Sequence, residues 1–172
     1  GHGLVTDLSA QELKNLDATK IMPQFTKEGV PSLAETLSAL PGGTITNIEL
    51  KSPGRFAKAA LVEKVLSAAQ LHQDRLTIIF SSFDGEILSL LRAQKPNYLI
   101  SLLLCNRDHH WPWALKYWHH IQPDALHLPP SLATKTILSL AKNAQLPVAI
   151  WTINNPVVAH NYFAHGVSGI FT

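Results

Sequence analysis

Cysteine is nearly absent from this chain: Cys105 stands alone. A single thiol makes no internal disulfide and no cysteine-based zinc site, so the chain must be held together by its core. Charge is sparse as well. Charged residues are 15% of the 172 against 46% hydrophobic, and 14 Lys+Arg nearly balance 12 Asp+Glu. That hydrophobic share excludes a disordered chain. The formal net charge of +2 makes no electrostatic footprint for nucleic acid. Long apolar runs are missing; Leu102-Leu103-Leu104-Cys105 is typical of the longest. A membrane-spanning helix needs about 20 apolar residues, so no transmembrane segment is expected. No charged-then-apolar leader opens the sequence. Glycine-rich signatures are absent too: there is no G-x-G-x-x-G, no G-x-x-x-x-G-K-[ST] and no G-x-S-x-G. Dinucleotide binding, P-loop hydrolysis and α/β-hydrolase serine chemistry are thereby disfavoured, leaving metal-assisted or acid–base mechanisms.

What is present is a rhythm. Short β-rich runs fall at 44–51, 76–81, 98–105, 124–128, 147–153 and 168–172. Helical periodicity fills the gaps. In 57–71, Leu61, Val62, Val65, Leu66 and Ala69 form one stripe; 84–93 and 131–144 behave alike, and 111–120 is a weaker candidate because Pro112 must sit in its first turn. Asn155-Pro156 reads as an N-cap followed by proline at the first helical position, with Gly166 ending that helix. Ser9-Ala10-Gln11-Glu12 and Ser32-Leu33-Ala34-Glu35 read as capping boxes, predicting short helices at 10–17 and 32–40. Strand–helix alternation at this spacing predicts a parallel α/β sheet. Six β units suit an open doubly wound sheet. A closed barrel needs eight strands and typically about 250 residues. Yet the first strand comes only after some 40 residues, an odd opening for an open sheet and a natural one for a barrel whose first two strands precede residue 1.

The run Thr44-Ile45-Thr46-Asn47-Ile48-Glu49-Leu50-Lys51 is the most informative stretch. Alternation places Asn47, Glu49 and Lys51 on one face. Central parallel strands are apolar on both faces, and burying unpaired charge is costly, so this polar file needs a reason. One reason is a site at the C-terminal mouth of the strand, where a carboxylate suits a divalent cation and an ammonium suits a phosphate. The other is an edge strand, or a Glu–Lys pair facing solvent. Phe83 and Trp151, at the ends of two further runs, are either a wall excluding water from a site or ordinary core. His127 closes the fourth run and is as readily a rim or core histidine. Nine histidines invite a metal reading, but His109-His110 and His119-His120 are adjacent pairs that point apart, and no H-E-x-x-H spacing exists. The aromatic group Trp111, Trp113, Tyr117 and Trp118 is expected to be partly buried.

Several motifs in order carry a resemblance. Asp7-Leu8-Ser9-Ala10-Gln11-Glu12-Leu13, Leu16-Asp17-Ala18, Val30-Pro31-Ser32-Leu33-Ala34-Glu35, Asn47-Ile48-Glu49-Leu50-Lys51, Ser81-Ser82-Phe83, Leu126-His127, Trp151-Thr152-Ile153-Asn154 and Gly166-Val167-Ser168-Gly169-Ile170-Phe171-Thr172 resemble the glycerophosphodiester phosphodiesterase family over essentially the whole chain. The resemblance implies a TIM-type (β/α)8 barrel, here lacking its first two strands. It implies one domain over 1–172, N-terminally incomplete, with 1–30 the end of a small insertion over the barrel mouth. It implies hydrolysis of glycerophosphodiesters, as small-molecule substrates, to glycerol 3-phosphate and an alcohol in lipid and glycerol metabolism. One divalent cation, magnesium or calcium, would be held by carboxylates, with two histidines as general acid and base. Glu49 matches a metal-ligand position and Lys51 a substrate-phosphate position with a catalytic role. Phe83 and Trp151 match the wall beside the glycerol, and His127 is placed with them as substrate-binding. The family's H-R-G, E-x-D and H-D motifs are absent, and Ser168 stands where an acid is common, so the fragment by itself is expected to be inactive. The competing readings are a related phospholipid-cleaving barrel and a non-catalytic binding module of the same fold. A cytoplasmic location is expected, and self-association is left open.

Overall fold

A computed structural model describes residues 3–20, 22, 24–54, 56–95, 97–106 and 110–172, with backbone only for 110–115. It divides into two compact units, Gly1–Thr44 with Pro53–Thr77, and Ile45–Ser52 with Ile78–Thr172.

The first unit is helical. A 3-10 turn, Val5–Asp7, precedes α1 (Ala10–Asn15), α2 (Leu33–Ala39) and α3 (Lys58–Gln70). Both expected capping boxes form. The Ser9 and Ser32 hydroxyls accept from the backbone N–H of Glu12 and Glu35, whose carboxylates accept in return from the backbone of Ser9 and Ser32. Each helix stops short of its expected C-terminus, as an extended residue, Leu16 or Leu40, follows it. Lys14 Nζ lies 2.6 Å from Glu35 Oε1. That contact leads the causes that lower the Glu35 pKa to about 2. Helix α2 buries Leu37, and α3 buries Val62, Val65, Leu66 and Ala69, the stripe its periodicity predicts. Arg75 ties this unit by donating to the carbonyls of Leu37 and Leu40 at the C-terminal end of α2.

The second unit is built on a sheet. Strands β1 (Ile45–Glu49), β2 (Thr77–Ser82), β3 (Leu99–Leu103), β4 (Ala125–Leu128), β5 (Val148–Trp151) and β6 (Gly169–Phe171) lie side by side in chain order. From β2 onward each pairs parallel with the next. Helices α4 (Gly85–Gln94), α5 (His110–Ile121), α6 (Lys135–Asn143) and α7 (Pro156–Ala164) alternate with them. Consecutive parallel neighbours joined through helices are the pattern of a TIM-type barrel, of which six strands are present. Strand bounds fall within two residues of the expected ones. Helix α6 starts at Lys135 rather than 131, because the Thr134 hydroxyl is its cap, accepting from the Ile137 N–H.

Register sorts the two faces. Phe80 pairs with Ile100, Leu102 with Leu126, Leu126 with Val148, and Leu128 and Ile170 both with Ile150. This file is apolar; Phe80, Ile100, Leu102, Leu128 and Ile150 are fully buried. Each such side chain stabilises by about 1.5–3 kcal/mol. Helix α4 packs here, burying Ile87, Leu88 and Leu91. Gly85 lets α4 approach α5: a Cβ there would lie 2.9 Å from Tyr117 Cβ and ring carbons. The opposite file runs Ser81, Ser101, Leu103, His127, Ala149, Trp151, Gly169 and Phe171.

The N-terminal end of the sheet is closed by Arg92. Its guanidinium donates to the carbonyls of Tyr98, Ile121 and Gln122 at 2.9–3.0 Å and to Asp124 Oδ2 at 2.6 Å. The same Asp124 oxygen accepts from the Ile100 N–H. One side chain thus joins α4, the end of α5 and the starts of β3 and β4. Of the aromatic group on α5, Tyr117 and Trp118 are half-buried, while the side chains of Trp111 and Trp113 lie outside the described residues. His109 and the His110 side chain lie outside them as well; His119 and His120 are exposed.

Candidate active site

Parallel strands deliver their C-terminal ends to one place, and the residues there come from every strand. A cavity of about 300 Å³ is lined by Asn47, Glu49, Lys51, Ser81, Phe83, Leu103, His127, Trp151, Thr152 and Phe171. All five residues singled out from the sequence, Glu49, Lys51, Phe83, His127 and Trp151, are among them. Sequence reasoning does not single out Leu103, Thr152 or Phe171 as lining, though strand parity carries the signal for Leu103 and Phe171.

Local structure explains the placement. The Leu50 N–H donates to the Ser81 carbonyl at 2.8 Å, and the buried Ser82 hydroxyl donates to the Leu50 carbonyl at 2.6 Å. These bonds hold the chain leaving β1, so that Glu49 and Lys51 flank an anchored residue. Ser82 Oγ also accepts from the Asp84 N–H, and Asp84 caps α4 by accepting from Glu86 and Ile87.

The expected polar file on one buried face takes a different form. Asn47 is half-buried, whereas Glu49 and Lys51 are exposed at the rim, where Lys51 Nζ lies 2.5 Å from Glu49 Oε1. Glu49 ends β1, the outermost strand of the sheet as described, so its side chain escapes the burial of a central strand. Lys51 lies two residues beyond the strand, with its side chain 78% exposed. The two residues pair in solvent, as one alternative has it, and they also line the cavity. An exposed pair of this kind contributes about 0–1 kcal/mol, little enough for an anion to draw Lys51 away.

Deeper in, the lining side chains are buried or half-buried. Phe83 and Trp151 meet edge to face, with centroids 5.7 Å apart at 88°. His127 is 4% exposed and its ring meets Phe171 at 4.8 Å. Burial pushes the His127 pKa down to about 4, with the Glu49 charge pulling weakly the other way. The imidazole is therefore uncharged at neutral pH. Asn47 Oδ1, Ser81 Oγ, His127 Nδ1 and Trp151 Nε1 are all buried without a hydrogen-bond partner.

A closed cation cage is not among the described residues, which hold no group of three or more His, Cys, Asp and Glu able to bind a metal ion. Glu49 is the one carboxylate lining the cavity. Magnesium and calcium both take more oxygens than one carboxylate supplies, so phosphate oxygens and water would complete the coordination of either. No described helix is long and apolar enough to cross a membrane.

Known structures share this architecture. A phosphodiesterase from Oleispira antarctica, solved in complex with the product sn-glycerol-3-phosphate, superposes with a TM-score of 0.84 at 24% identity, over 99% of this chain and 69% of its own. A structure from Silicibacter pomeroyi, assigned as a glycerophosphoryl diester phosphodiesterase, gives 0.71 at 23%, over 86% of this chain and 54% of its own. One from Galdieria sulphuraria, assigned as a glycerophosphodiester phosphodiesterase, gives 0.77 at 20%, over 99% and 68%. The chain thus spans between 54% and 69% of the length of these three. At such identities the likeness establishes the barrel alone. No curated protein matches the chain in sequence. The family is decided by sequence pattern: the model of the glycerophosphoryl diester phosphodiesterase family matches residues 1–172. Its match and the barrel agree over the whole length, and the chain belongs to the glycerophosphoryl diester phosphodiesterase family.

Proposed function

We propose that this chain forms the substrate-holding part of a site that hydrolyses glycerophosphodiesters to glycerol 3-phosphate and an alcohol. The observation that carries the reading is the cavity itself, where the Glu49–Lys51 pair at the rim sits beside an aromatic corner and buried polar side chains. Family membership and the product complex of the Oleispira relative support it.

Each residue has a task in this reading. The Lys51 ammonium, released from Glu49, meets the phosphate and stabilises negative charge that builds in the transition state. The Phe83–Trp151 corner keeps water from the glycerol side. His127, uncharged and buried, offers a hydrogen bond without repelling or attracting charge. Glu49 would hold a divalent cation, magnesium or calcium, and such an ion when bound neutralises charge on the phosphate oxygens. The substrate is a small molecule, and a single cysteine, which makes no internal disulfide, accords with a cytoplasmic location.

Binding and turnover separate the readings. The chain should bind sn-glycerol 3-phosphate in calorimetry, and Lys51→Met should weaken that binding about tenfold, or about 1.4 kcal/mol. Magnesium should raise the affinity of the unaltered chain and not that of Glu49→Gln; an undiminished magnesium effect in Glu49→Gln removes the ligand role. Release of glycerol 3-phosphate from glycerophosphocholine then tests catalysis. A second reading, a non-catalytic binding module, is favoured by the single carboxylate at the cavity, and binding without release in magnesium or calcium supports it.

A further inference from the structure

One polar residue stands where the fold calls for an apolar one. Ser82 ends β2 on the face that carries Ile78 and Phe80, and its register partner is Leu102. Ser82 is 0% exposed, as are Phe80 and Leu102. Alanine or valine would fill this position without burying a hydroxyl. Ser82 does not line the cavity, because the pleat turns it away from the face of Ser81, which does. Any part it plays at the site is therefore played through other residues.

Its hydroxyl makes two bonds, and both lead to the site. Ser82 Oγ donates to the Leu50 carbonyl at 2.6 Å and accepts from the Asp84 N–H at 3.0 Å. A peptide unit is planar, so holding one of its atoms holds the plane. The Leu50 carbonyl shares its plane with the Lys51 nitrogen, and the Asp84 N–H shares its plane with the Phe83 carbonyl. The first bond thus sets the direction in which the chain enters Lys51, and the second sets how it leaves Phe83. Lys51 needs such a hold: β1 ends at Glu49, and the Lys51 side chain is 78% exposed on a flexible four-carbon stem. A fixed root limits the volume that the ammonium sweeps. We infer that Ser82 is a positioning residue whose hydroxyl fixes the roots of Lys51 and Phe83, and so keeps the cation and the aromatic wall of the cavity in one arrangement. This rests on the proposed function, because it takes Lys51 to meet a phosphate. A group held in place before binding loses less freedom on binding, which is how a residue outside the cavity raises affinity within it.

The test measures, by calorimetry, the affinity of Ser82 variants of the 172-residue chain for sn-glycerol 3-phosphate. Ser82→Ala should weaken binding about fivefold, the size of one net hydrogen bond. Ser82→Thr and Ser82→Val share one shape and differ in the hydroxyl, so Ser82→Thr should bind about fivefold tighter than Ser82→Val. That pair decides the matter if Ser82→Ala does not fold. A double-mutant cycle separates positioning from general damage: on Lys51→Met, adding Ser82→Ala should cost about twofold or less, since the root no longer carries the cation. In the unaltered chain, the ligand should slow hydrogen exchange at the Leu50 and Asp84 amides together. The inference is overturned, while the proposed function stands, by equal affinity of Ser82→Thr and Ser82→Val, by a Ser82→Ala loss as large on Lys51→Met as alone, or by slowing at Leu50 without Asp84. If sn-glycerol 3-phosphate does not bind the unaltered chain, or binds Lys51→Met undiminished, the proposed function falls and takes this inference with it.

Discussion

The two ends of the sheet are built on opposite rules. At the N-terminal end, one guanidinium meets three carbonyls and a carboxylate, and that carboxylate meets a backbone N–H. Most hydrogen-bonding capacity there is spent on joining elements, the buried and unpaired Tyr98 hydroxyl being an exception. At the C-terminal end, polar atoms of Asn47, Ser81, His127 and Trp151 are buried and unpaired around a cavity. The first arrangement joins two helices and two strands; the second leaves polar atoms unpaired beside a cavity. Parallel strands make this division natural, because every strand starts at one end and every following loop leaves from the other.

The sharpest way to break the contrast is at Arg92. Arg92→Ala leaves three carbonyls unanswered at the ends of β3 and α5 and removes the cation beside Asp124, and should destabilise the chain by about 2–3 kcal/mol in urea unfolding. A loss below about 1 kcal/mol would mean that water serves those acceptors as well as the guanidinium does. Acid tests the other end. The His127 pKa is about 4 in the folded chain against an ordinary 6.5, so the unfolded chain binds a proton that the folded chain refuses. Its contribution is fully present above pH 6.5 and is lost as pH falls from there to about 4. By linkage the loss totals about 3 kcal/mol. His127→Phe should flatten this part of the stability–pH profile, and an unaltered slope would show that the imidazole is not the responsible group. The smallest expected effect is the most pointed. Ser81→Ala removes a buried hydroxyl that bonds to nothing, so unfolding free energy should stay level or rise by up to about 1 kcal/mol. A clear loss of stability would give Ser81 a structural partner and erase the difference between the two ends.

Much of the site is legible in the sequence for one reason: strand parity and chain order are local properties. Period-two alternation assigns Glu49, Phe83 and Trp151 to the strand ends, and the motif order gathers them with Lys51 and His127. Arg92 is not legible. Nothing in Leu91-Arg92-Ala93 distinguishes a hub from a solvated cation on an amphipathic helix, because its acceptors lie up to 32 residues away. The depth of each residue is equally hidden. Alternation puts Asn47 and Glu49 on one face, yet one is half-buried and the other exposed, since depth depends on where β1 ends and on its being outermost.

The amino-acid sequence by itself determines the elements, their parallel order and the family, because capping boxes, 3.6-residue stripes and β-rich runs act over a few residues and the motifs recur in fixed order. It determines the file of residues that faces the cavity for the same reason. Tertiary structure alone decides which polar atoms in that file find partners. Ser82 and Ser81 are neighbours of identical chemistry, and the pleat turns them to opposite faces. Ser82 Oγ reaches the Leu50 carbonyl just beyond the end of β1, while Ser81 Oγ has no partner and Ser81 lines the cavity. A hydrogen bond needs its partner within about 3 Å and in line, and across strands that distance is set by register and sheet geometry rather than by either residue.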